Sequence, residues 1–409
     1  MAIVKWVGRA QAVAKYMTVV VGSATVGQAR SITYDGITAS YTVVTGDTVA
    51  TVAAAVVAVA QALVAGQWKE LTVAQNSTTP AQIDILGPSD GAPVTLTVSS
   101  GMTLATVTAE TGPNDAAATA NYSTGSLPGA NDVLVFDRGA AFEGPKYNLT
   151  AIAALADGGL IVYPTYGGVI GLPPVNAVNG YYEWRPRFLS VKATAIRIAQ
   201  SSSNNANQFN ILCVNVAATA IIVEGTNISI DDVLEVYGQV STSSIVNSGG
   251  SVTVAKSIGQ TAVVPTINST GGRMNLGIGC TLTNLILDTS AVRISASYAT
   301  LKMDRNSSVI VDGVAACTTA SPALGTTVDE GTFSWQSSGA LPVITVGSGG
   351  TLDTSLSPGV AITTLNLQAG ATLNDPADRI TKPFNIALVN CRPDEVTMTM
   401  GTGRTLTVA

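Results

Sequence analysis

Short β-prone segments, separated by Gly, Ser and Asn, recur over most of this chain. From residue 133 to about residue 390 they come roughly every ten residues, as in "GLIVYP", "AIRIAQ", "SVTVAKSI" and "LTNLILD",. No helix-length periodic segment interrupts them,. Because two-residue hairpin turns are scarce there, we expect a parallel β-helix, a solenoid with about 20–25 residues per coil. An antiparallel β-sandwich is the alternative, since its strands have a similar spacing.

The first part of the chain has a different pattern. "SITYDGITASYTVV" contains the Asp35-Gly36 pair that is typical of a hairpin turn, and short alternating strands follow a helical segment,. The sequence is therefore predicted to be mainly β, in four regions. These are a small α+β attachment domain over 1–112, a linker over 113–132, a β-helical body over 133–390 and a C-terminal strand segment over 391–409,.

The segment from Thr45 to Gly66 is nearly free of charge and long enough to suggest a membrane span,. It consists largely of Ala, and its valines are spaced so that they form one stripe on a helix. Thr45, Asp47 or Thr48 can cap its start, and Gly66 can end it,. We expect a buried helix that packs on a sheet, and no contact of the protein with a membrane.

Charged residues are 11% of the chain, against about 25% in an ordinary soluble domain,. The surface must therefore be covered by Thr, Ser, Asn and Gly or be buried against other subunits, and we expect both. A homotrimer would bury the neutral sides of the solenoid. The net charge of −6 argues against nucleic acid as a partner, since phosphate binding needs clustered Lys and Arg,.

The chain contains no histidine, which excludes histidine triads and histidine metal sites,. Four cysteines stand far apart and form no zinc motif,. Several acidic groups could serve a two-carboxylate hydrolase, but we interpret them as solvated surface. They are Asp231, Asp232, Glu235, Asp304, Asp312, Asp329 and Glu330. We therefore expect no enzyme, no catalytic residue, no cofactor and no bound metal.

Aromatic residues concentrate in "GYYEWRPRFL", where two arginines accompany them. The residues of interest are Tyr181, Tyr182, Trp184, Arg185 and Arg187. Such a group could stack on sugars or dock another protein. We favour a plug that closes the open end of the solenoid or a contact between subunits, because aromatic and Arg side chains dominate interface energetics.

Basic residues without acidic neighbours characterise the first 30 residues. Lys5, Arg9 and Lys15 could dock on an acidic partner, or they could belong to a solvated arm,. The segment after Tyr16 is short and β-branched, and strand-like sequence continues it. It is therefore interpreted as a hairpin and not as a signal peptide.

The segments "GGVIGLPPVN" and "YYEWRPRFL" resemble a group of tailed-phage virion-associated proteins, in which a similar stretch precedes a β-rich tail. The similarity covers about residues 130–200. It implies a virion component made in the host cytoplasm, and it supplies no catalytic residues. We expect a capsid-decoration or cement protein that binds the major capsid protein or other virion proteins. The alternative is a tail fibre or tail spike that binds a host surface glycan, with or without hydrolysing it.

Overall fold

The computed structural model describes residues 2–63, 66–137, 144–152, 158–199, 209–213, 220–224, 234–239, 244–256, 259–320, 325–381 and 385–401. Within these ranges the protein is mainly β, with one α-helix, α1 (Val49–Ala62). Three short 3-10 helices are formed by Gly66–Glu70, Thr119–Asn121 and Pro393–Glu395.

The strands before residue 133 are β1 (Ile3–Lys5), β2 (Tyr16–Val21), β3 (Ala29–Tyr34), β4 (Ile37–Thr42), β5 (Thr72–Gln75), β6 (Gln82–Leu86), β7 (Leu96–Val98) and β8 (Met102–Thr108). The strands from residue 133 to residue 254 are β9 (Val133–Phe136), β10 (Gly159–Val162), β11 (Leu189–Val191), β12 (Ala195–Ala199), β13 (Phe209–Cys213), β14 (Ala220–Glu224), β15 (Leu234–Gln239), β16 (Ser244–Ser248) and β17 (Ser251–Val254).

The later strands are β18 (Ala262–Thr270), β19 (Arg273–Leu276), β20 (Cys280–Asp288), β21 (Ala291–Ile294), β22 (Thr300–Asp304), β23 (Ser307–Val311), β24 (Thr326–Trp335), β25 (Val343–Asp353), β26 (Val360–Ala361), β27 (Thr364–Leu367), β28 (Thr372–Asp375), β29 (Ile380–Thr381), β30 (Asn385–Leu388) and β31 (Thr397–Met400).

Strands β2 to β8 and helix α1 form the α+β domain, residues 14–110. A four-stranded antiparallel sheet has the order β5-β6-β2-β8, and a three-stranded sheet has the order β4-β3-β7. The predicted β3–β4 hairpin is confirmed, and Asp35 and Gly36 both have positive φ, as its two-residue turn requires,. The side chains of Val19, Ile32 and Val56 lie in a core that the sheets and α1 share.

Helix α1 confirms the buried helix that the sequence predicts. Thr48 caps its start, and Thr51 completes a reciprocal capping box,. Val52, Ala53 and Val56 are fully buried and pack against the sheets. The Ala-rich face is needed because small side chains let the helix lie close to the sheets. None of the helices in the described part of the chain combines the length and apolarity that a membrane crossing requires.

The body after residue 133 is a parallel β-solenoid, as predicted. Its first face stacks β9, β10, β12, β14, β16, β18, β20, β22, β24, β25, β27 and β30. Its second face stacks β11, β13, β15, β17, β19, β21, β23, β24, β25, β28 and β31. All of these pairs are parallel, which excludes the β-sandwich.

Aliphatic side chains fill the solenoid in columns that run from coil to coil. Leu160, Ile196, Ile221 and Ile245 are register partners in successive coils, and each is at most 1% exposed. Each such side chain contributes about 1.5–3 kcal/mol by its burial. The coil length varies more than expected, from 16 residues (285 to 301) to 36 residues (160 to 196). The coil length varies in the connections between strands, because the paired strands keep their register.

One inner corner of the solenoid is lined by hydroxyl and amide side chains and not by aliphatic ones. Asn247, Ser269 and Ser290 are each at most 2% exposed, and their polar groups bond to one another and to the backbone. Gly272 stands at this corner with φ of +81°, and a Cβ there would lie 2.3 Å from the Gly250 carbonyl oxygen. Glycine is therefore required both for its backbone conformation and for the close approach of two coils.

Strand β1 lies in the solenoid and not in the α+β domain, which corrects the predicted 1–112 boundary. It pairs in parallel with β9 and extends the first face by one strand. The chain then leaves the solenoid, forms the α+β domain and returns through an antiparallel bridge between Val13 and Thr111. The predicted linker 113–132 is packed, because Asn121 and Tyr122 are buried and Asn121 bonds to Gly112 and Asp115.

Candidate functional site

The predicted aromatic and Arg segment lies where the α+β domain meets the solenoid. Arg185 Nη2 donates to Glu70 Oε2 at 2.5 Å and to the Tyr34 hydroxyl at 3.2 Å. Its Nη1 donates to the Tyr181 hydroxyl at 3.1 Å and to Glu183 at 3.2 Å. We call these five residues the Arg185 cluster. Tyr34 and Glu70 come from the α+β domain, so the cluster joins the two units.

Burial governs the electrostatics of this cluster. The Arg185 and Glu70 side chains are 6% and 8% exposed, and Glu183 is 2% exposed. Burial is the largest single influence and disfavours the charged guanidinium, but Glu70, Tyr34 and Tyr181 together outweigh it, so the pKa of Arg185 is raised,. Burial and the hydrogen bond to Glu70 raise the pKa of Tyr181 to about 12. The cluster thus places two carboxyl groups and one guanidinium together, shielded from water.

Aromatic rings surround the cluster on the side of the α+β domain. The Trp184 ring stands edge-on to Tyr34 at 5.5 Å, and the Arg185 guanidinium lies 4.4 Å from the centre of the Trp184 ring,. Trp184 packs against the core of the α+β domain, although it belongs to the solenoid segment. Tyr181, Trp184 and Arg185 therefore make these contacts within one chain. The plug at the solenoid end and the contact between subunits both stay predictions.

Tyr182 does not belong to the Arg185 cluster. It is 84% exposed, and it pairs with Val175 in a short antiparallel hairpin whose tip carries Val178, 90% exposed. Asn176 stabilises the tip, because its Oδ1 accepts hydrogen bonds from the backbone N–H groups of Val178 and Asn179. This Val175–Tyr182 hairpin thus presents two apolar side chains on an ordered support, which lowers the entropy lost on binding.

The predicted basic residues do not form one arm. Lys5 is half-exposed on β1 and lies 3.4 Å from Asp137. Arg9 is exposed between β1 and the α+β domain. Lys15 is 17% exposed and donates to Glu110 at 3.1 Å and to the Val94 carbonyl at 2.7 Å. Arg187 is half-buried and bonds to the Leu172 carbonyl. Docking on an acidic partner stays a prediction for Lys5 and Arg9.

Two of the acids considered for catalysis meet on adjacent coils. Asp304 and Asp329 are hydrogen-bonded to each other, and Lys302 lies 3.1 Å from the first and 3.7 Å from the second. Burial and the bond to Asp304 raise the pKa of Asp329. Hydrolases that use two carboxylates hold them about 5 Å apart or more, so that a sugar or water fits between them. Here Lys302 contacts both carboxylates, which does not suit that chemistry.

The other candidate acids lie elsewhere. Asp231 and Asp232 lie outside the described residues. Glu235 is buried and accepts from Gln260, and Asp312 is bound by Arg293 and Ser295. Among the described residues no three His, Cys, Asp or Glu side chains come together as metal ligands, and Cys280, Cys317 and Cys391 are free thiols.

The last described coil leaves its inner side chains partly exposed. Ile386 and Leu388 on β30, and Met398 and Met400 on β31, pack against the solenoid core but are only half-buried. Solenoid ends with apolar interiors need a cover, which is a terminal cap or another chain.

Glu70 and Tyr34 are members of the Arg185 cluster that the sequence did not predict. Glu70 is separated from Arg185 by 115 residues, and no local pattern marks it as buried. No protein-family model and no curated protein sequence matches the chain. The functional assignment therefore depends on the residues themselves.

Proposed function

We propose that the protein is a structural component of a bacteriophage virion that decorates the outside of the capsid as a cement protein. The observation that carries this proposal is the segment that resembles virion-associated proteins, residues 167–176 and 181–189. Its "RPR" stretch supplies Arg185, which fixes the α+β domain to the solenoid. A rigid link of this kind suits a protein that transmits force between two binding partners.

Assembly as a homotrimer is supported by the outward side of the first face. One column of register partners there contains Ile161, Arg197, Ile222, Val246, Asn268, Ile286, Lys302, Thr327, Thr345, Asn366 and Ala387. Arg197 and Lys302 are its only charged members. A column with so few charges is stabilised when sister copies cover it, while a neighbouring column on the same face carries Glu224, Asp288 and Asp304,.

The α+β domain would attach the trimer to the major capsid protein or to another virion protein. Lys5, Arg9 and the Val175–Tyr182 hairpin lie on the same part of the molecule as the domain junction. A cement protein stabilises a shell by the free energy of binding across neighbouring subunits, so it needs no catalytic group, cofactor, nucleic acid or membrane. It would be made in the host cytoplasm.

The second candidate is a tail fibre or tail spike that binds a host surface glycan. A groove on the second face, lined by Lys256, Arg273 and Arg293, favours it. The contact of Lys302 with both Asp304 and Asp329 does not favour hydrolysis of the glycan.

Cryo-electron microscopy of phage particles that contain this chain tests the location. Density for the solenoid on the capsid surface, at a symmetry axis between capsomers, is the expected result. Density confined to the tail would replace the first candidate by the second. Sedimentation of the purified full chain tests assembly independently, with a trimer mass expected, and a monomer at micromolar concentration would contradict the trimer.

A further inference from the structure

Strand β8 forms an open edge of the α+β domain. In the described part of the chain it pairs only with β2, at one end of the order β5-β6-β2-β8. From Thr103 to Ala109 every residue is exposed except Leu104, which is half-buried. Beyond Leu104 both sides of the strand are exposed, so the core of the domain does not cover the rest of β8,.

The ladder with β2 determines which backbone groups face this edge. Gly22 N–H donates to the Gly101 carbonyl oxygen at 2.9 Å, in continuation of the register of β2 and β8. Every second pair of an antiparallel ladder is bonded in this way, so Thr103 and Ala105 also bond to β2. The N–H and C=O groups of Leu104, which lies between them, therefore point to the open edge.

The opposite edge of the same sheet is covered. Strand β5 has only four residues, and Gln61 Nε2 on α1 donates to the Val73 carbonyl oxygen at 2.8 Å. A short strand and a covering helix are two ways in which sheets protect their edges. Strand β8 has seven residues without charge or proline, and its ladder with β2 is continuous from Met102 to Thr106, where a bulge at Val107 interrupts it,.

We propose that two copies of this chain pair through β8, edge to edge and antiparallel, so that their four-stranded sheets form one continuous sheet. A twofold axis at Leu104 allows the outward N–H and C=O groups of both copies to bond to one another. In this register Thr103 lies opposite Ala105 of the second copy. The half-exposed Leu104 side chain is then covered by its own counterpart, which removes apolar surface from water.

A second copy suits this edge because the strand is complementary to itself. Like charges that lie directly opposite each other destabilise paired strands, and β8 has no charged residue,. Head-to-tail pairing of the same sheets would need a second open edge, and the contact of Gln61 with Val73 covers that edge. The pairing of β8 with itself is therefore the arrangement that this sheet favours.

This contact is weak by itself. Stable interfaces bury about 1,200–2,000 Å² in total, which is far more than two short strands supply. Several such contacts made together are much stronger, because each one raises the effective concentration for the next. The inference goes beyond the proposed function, since the pairing of β8 requires no trimer. If trimers form, β8 links one trimer to its neighbours.

Cysteine cross-linking tests the proposed register. The full chain with Thr103→Cys is mixed with the full chain carrying Ala105→Cys, and the mixture is oxidised gently. The two positions lie directly opposite each other at a Cα separation of about 4.5 Å, whereas two copies of the same position lie about 7–8 Å apart. We expect at least about tenfold more disulfide-linked dimer in the mixture than in either variant alone, because such bonds need Cα atoms within about 7 Å.

The matched control is a mixture of Thr72→Cys and Ala74→Cys, which places the same residue types at the same spacing on the covered strand β5. Both positions are exposed, and we expect no enrichment of dimer in that mixture. The original chain measures the background from its own cysteines. Absence of enrichment for the β8 mixture, or equal enrichment for the β5 mixture, would overturn the proposal.

Charge substitutions test whether this pairing drives association. Thr103→Lys with Ala105→Lys places like charges opposite each other, and Thr103→Lys with Ala105→Glu places opposite charges there. In sedimentation at rising concentration, the original chain and the Lys–Glu variant should at least double their mass, and the Lys–Lys variant should not. Circular dichroism establishes that both variants fold.

The result separates this inference from the trimer. A threefold mass that never doubles contradicts the pairing of β8 alone, and doubling without a threefold mass contradicts the trimer alone. A strand of another virion protein is the rival occupant of the edge. In that case the Lys–Lys variant loses its binding to particles while the cysteine mixture yields no dimer, and the proposal fails.

Discussion

Arg185 and Glu70 form a buried ion pair across the junction of the α+β domain and the solenoid, with 2.5 Å between Nη2 and Oε2. Each charge is removed from water, which is costly unless the partner and its hydrogen bonds compensate. Tyr34 and Tyr181 supply those hydrogen bonds, since each hydroxyl contacts both members of the pair. The α+β domain therefore has one defined orientation on the first coils.

Replacement of Arg185 by Met should destabilise the protein by about 3 kcal/mol, because it leaves the Glu70 and Glu183 carboxylates buried without a counter-charge. Chemical denaturation followed by tryptophan fluorescence measures the loss, since Trp68 and Trp184 both lie at the junction. We expect the α+β domain to unfold in a separate, earlier transition.

Two further variants control this prediction. Arg197→Met breaks an ion pair whose side chains are 59% and 41% exposed, and it should cost much less,. Arg185→Met combined with Glu70→Gln should recover part of the loss, because one uncompensated charge is removed. Equal losses for Arg185→Met and Arg197→Met would mean that the cluster does not hold the domain in place.

Asp329→Asn should raise the melting temperature at pH 7 and have no such effect near pH 3. The pKa of Asp329 is raised above its usual 3.8 by burial and by Asp304. The stabilising protonated form is therefore fully present below the ordinary pKa, and it is lost as the pH rises through the raised one. An asparagine keeps a donor toward Asp304 at all pH values.

Thermal melts of the original chain and the variant between pH 3 and pH 8 measure this difference. Asp304→Asn should give a similar gain, and the double variant should not add the two gains, since they remove one repulsion. A lower melting temperature of Asp329→Asn at pH 7 would show that its contact with Lys302 outweighs the repulsion.

Gly272→Ala should destabilise the solenoid by about 3 kcal/mol or more, whereas Gly313→Ala should cost about 1 kcal/mol. Both glycines have positive φ, at +81° and +67°, so both variants carry the same kind of backbone strain. A Cβ at position 272 also meets the Gly250 carbonyl oxygen at 2.3 Å, while a Cβ at position 313 meets nothing within 4 Å. Urea unfolding compares them, and equal losses would mean that the coils can separate at this corner.

Val178→Ser with Tyr182→Ser should leave the melting temperature nearly unchanged, because both side chains are at least 84% exposed. If the Val175–Tyr182 hairpin is a contact surface, the same variant should shift the assembled protein toward monomer or abolish its binding to virions. Sedimentation and co-pelleting with particles measure the two effects. A matched control is Leu356→Ser, an exposed apolar residue at a distant turn, 69% exposed. Equal behaviour of both variants would exclude the hairpin.

Sequence reasoning predicted those features that neighbouring residues determine. The alternation of apolar and polar residues around Ile196 and Ile221 predicted strands of the coils, and the Asp35-Gly36 pair predicted the hairpin. It did not predict the ion pair of Glu70 and Arg185, because contacts across 115 residues leave no local pattern. Gly350 lies where β25 passes from the first face to the second, and a Cβ there would lie 2.2 Å from the Val328 carbonyl oxygen, a close approach that no local pattern indicates.

The bridge between Val13 and Thr111 brings the two ends of residues 14–110 side by side, while β1 remains in the first coil. The α+β domain is thus an insertion into a continuous solenoid, and its removal would leave a gap that a short turn can close. Recombination can exchange such a module for another one with equally close termini without altering the fold of the host. The same geometry makes this position a natural site for grafting a foreign domain onto this end of the molecule.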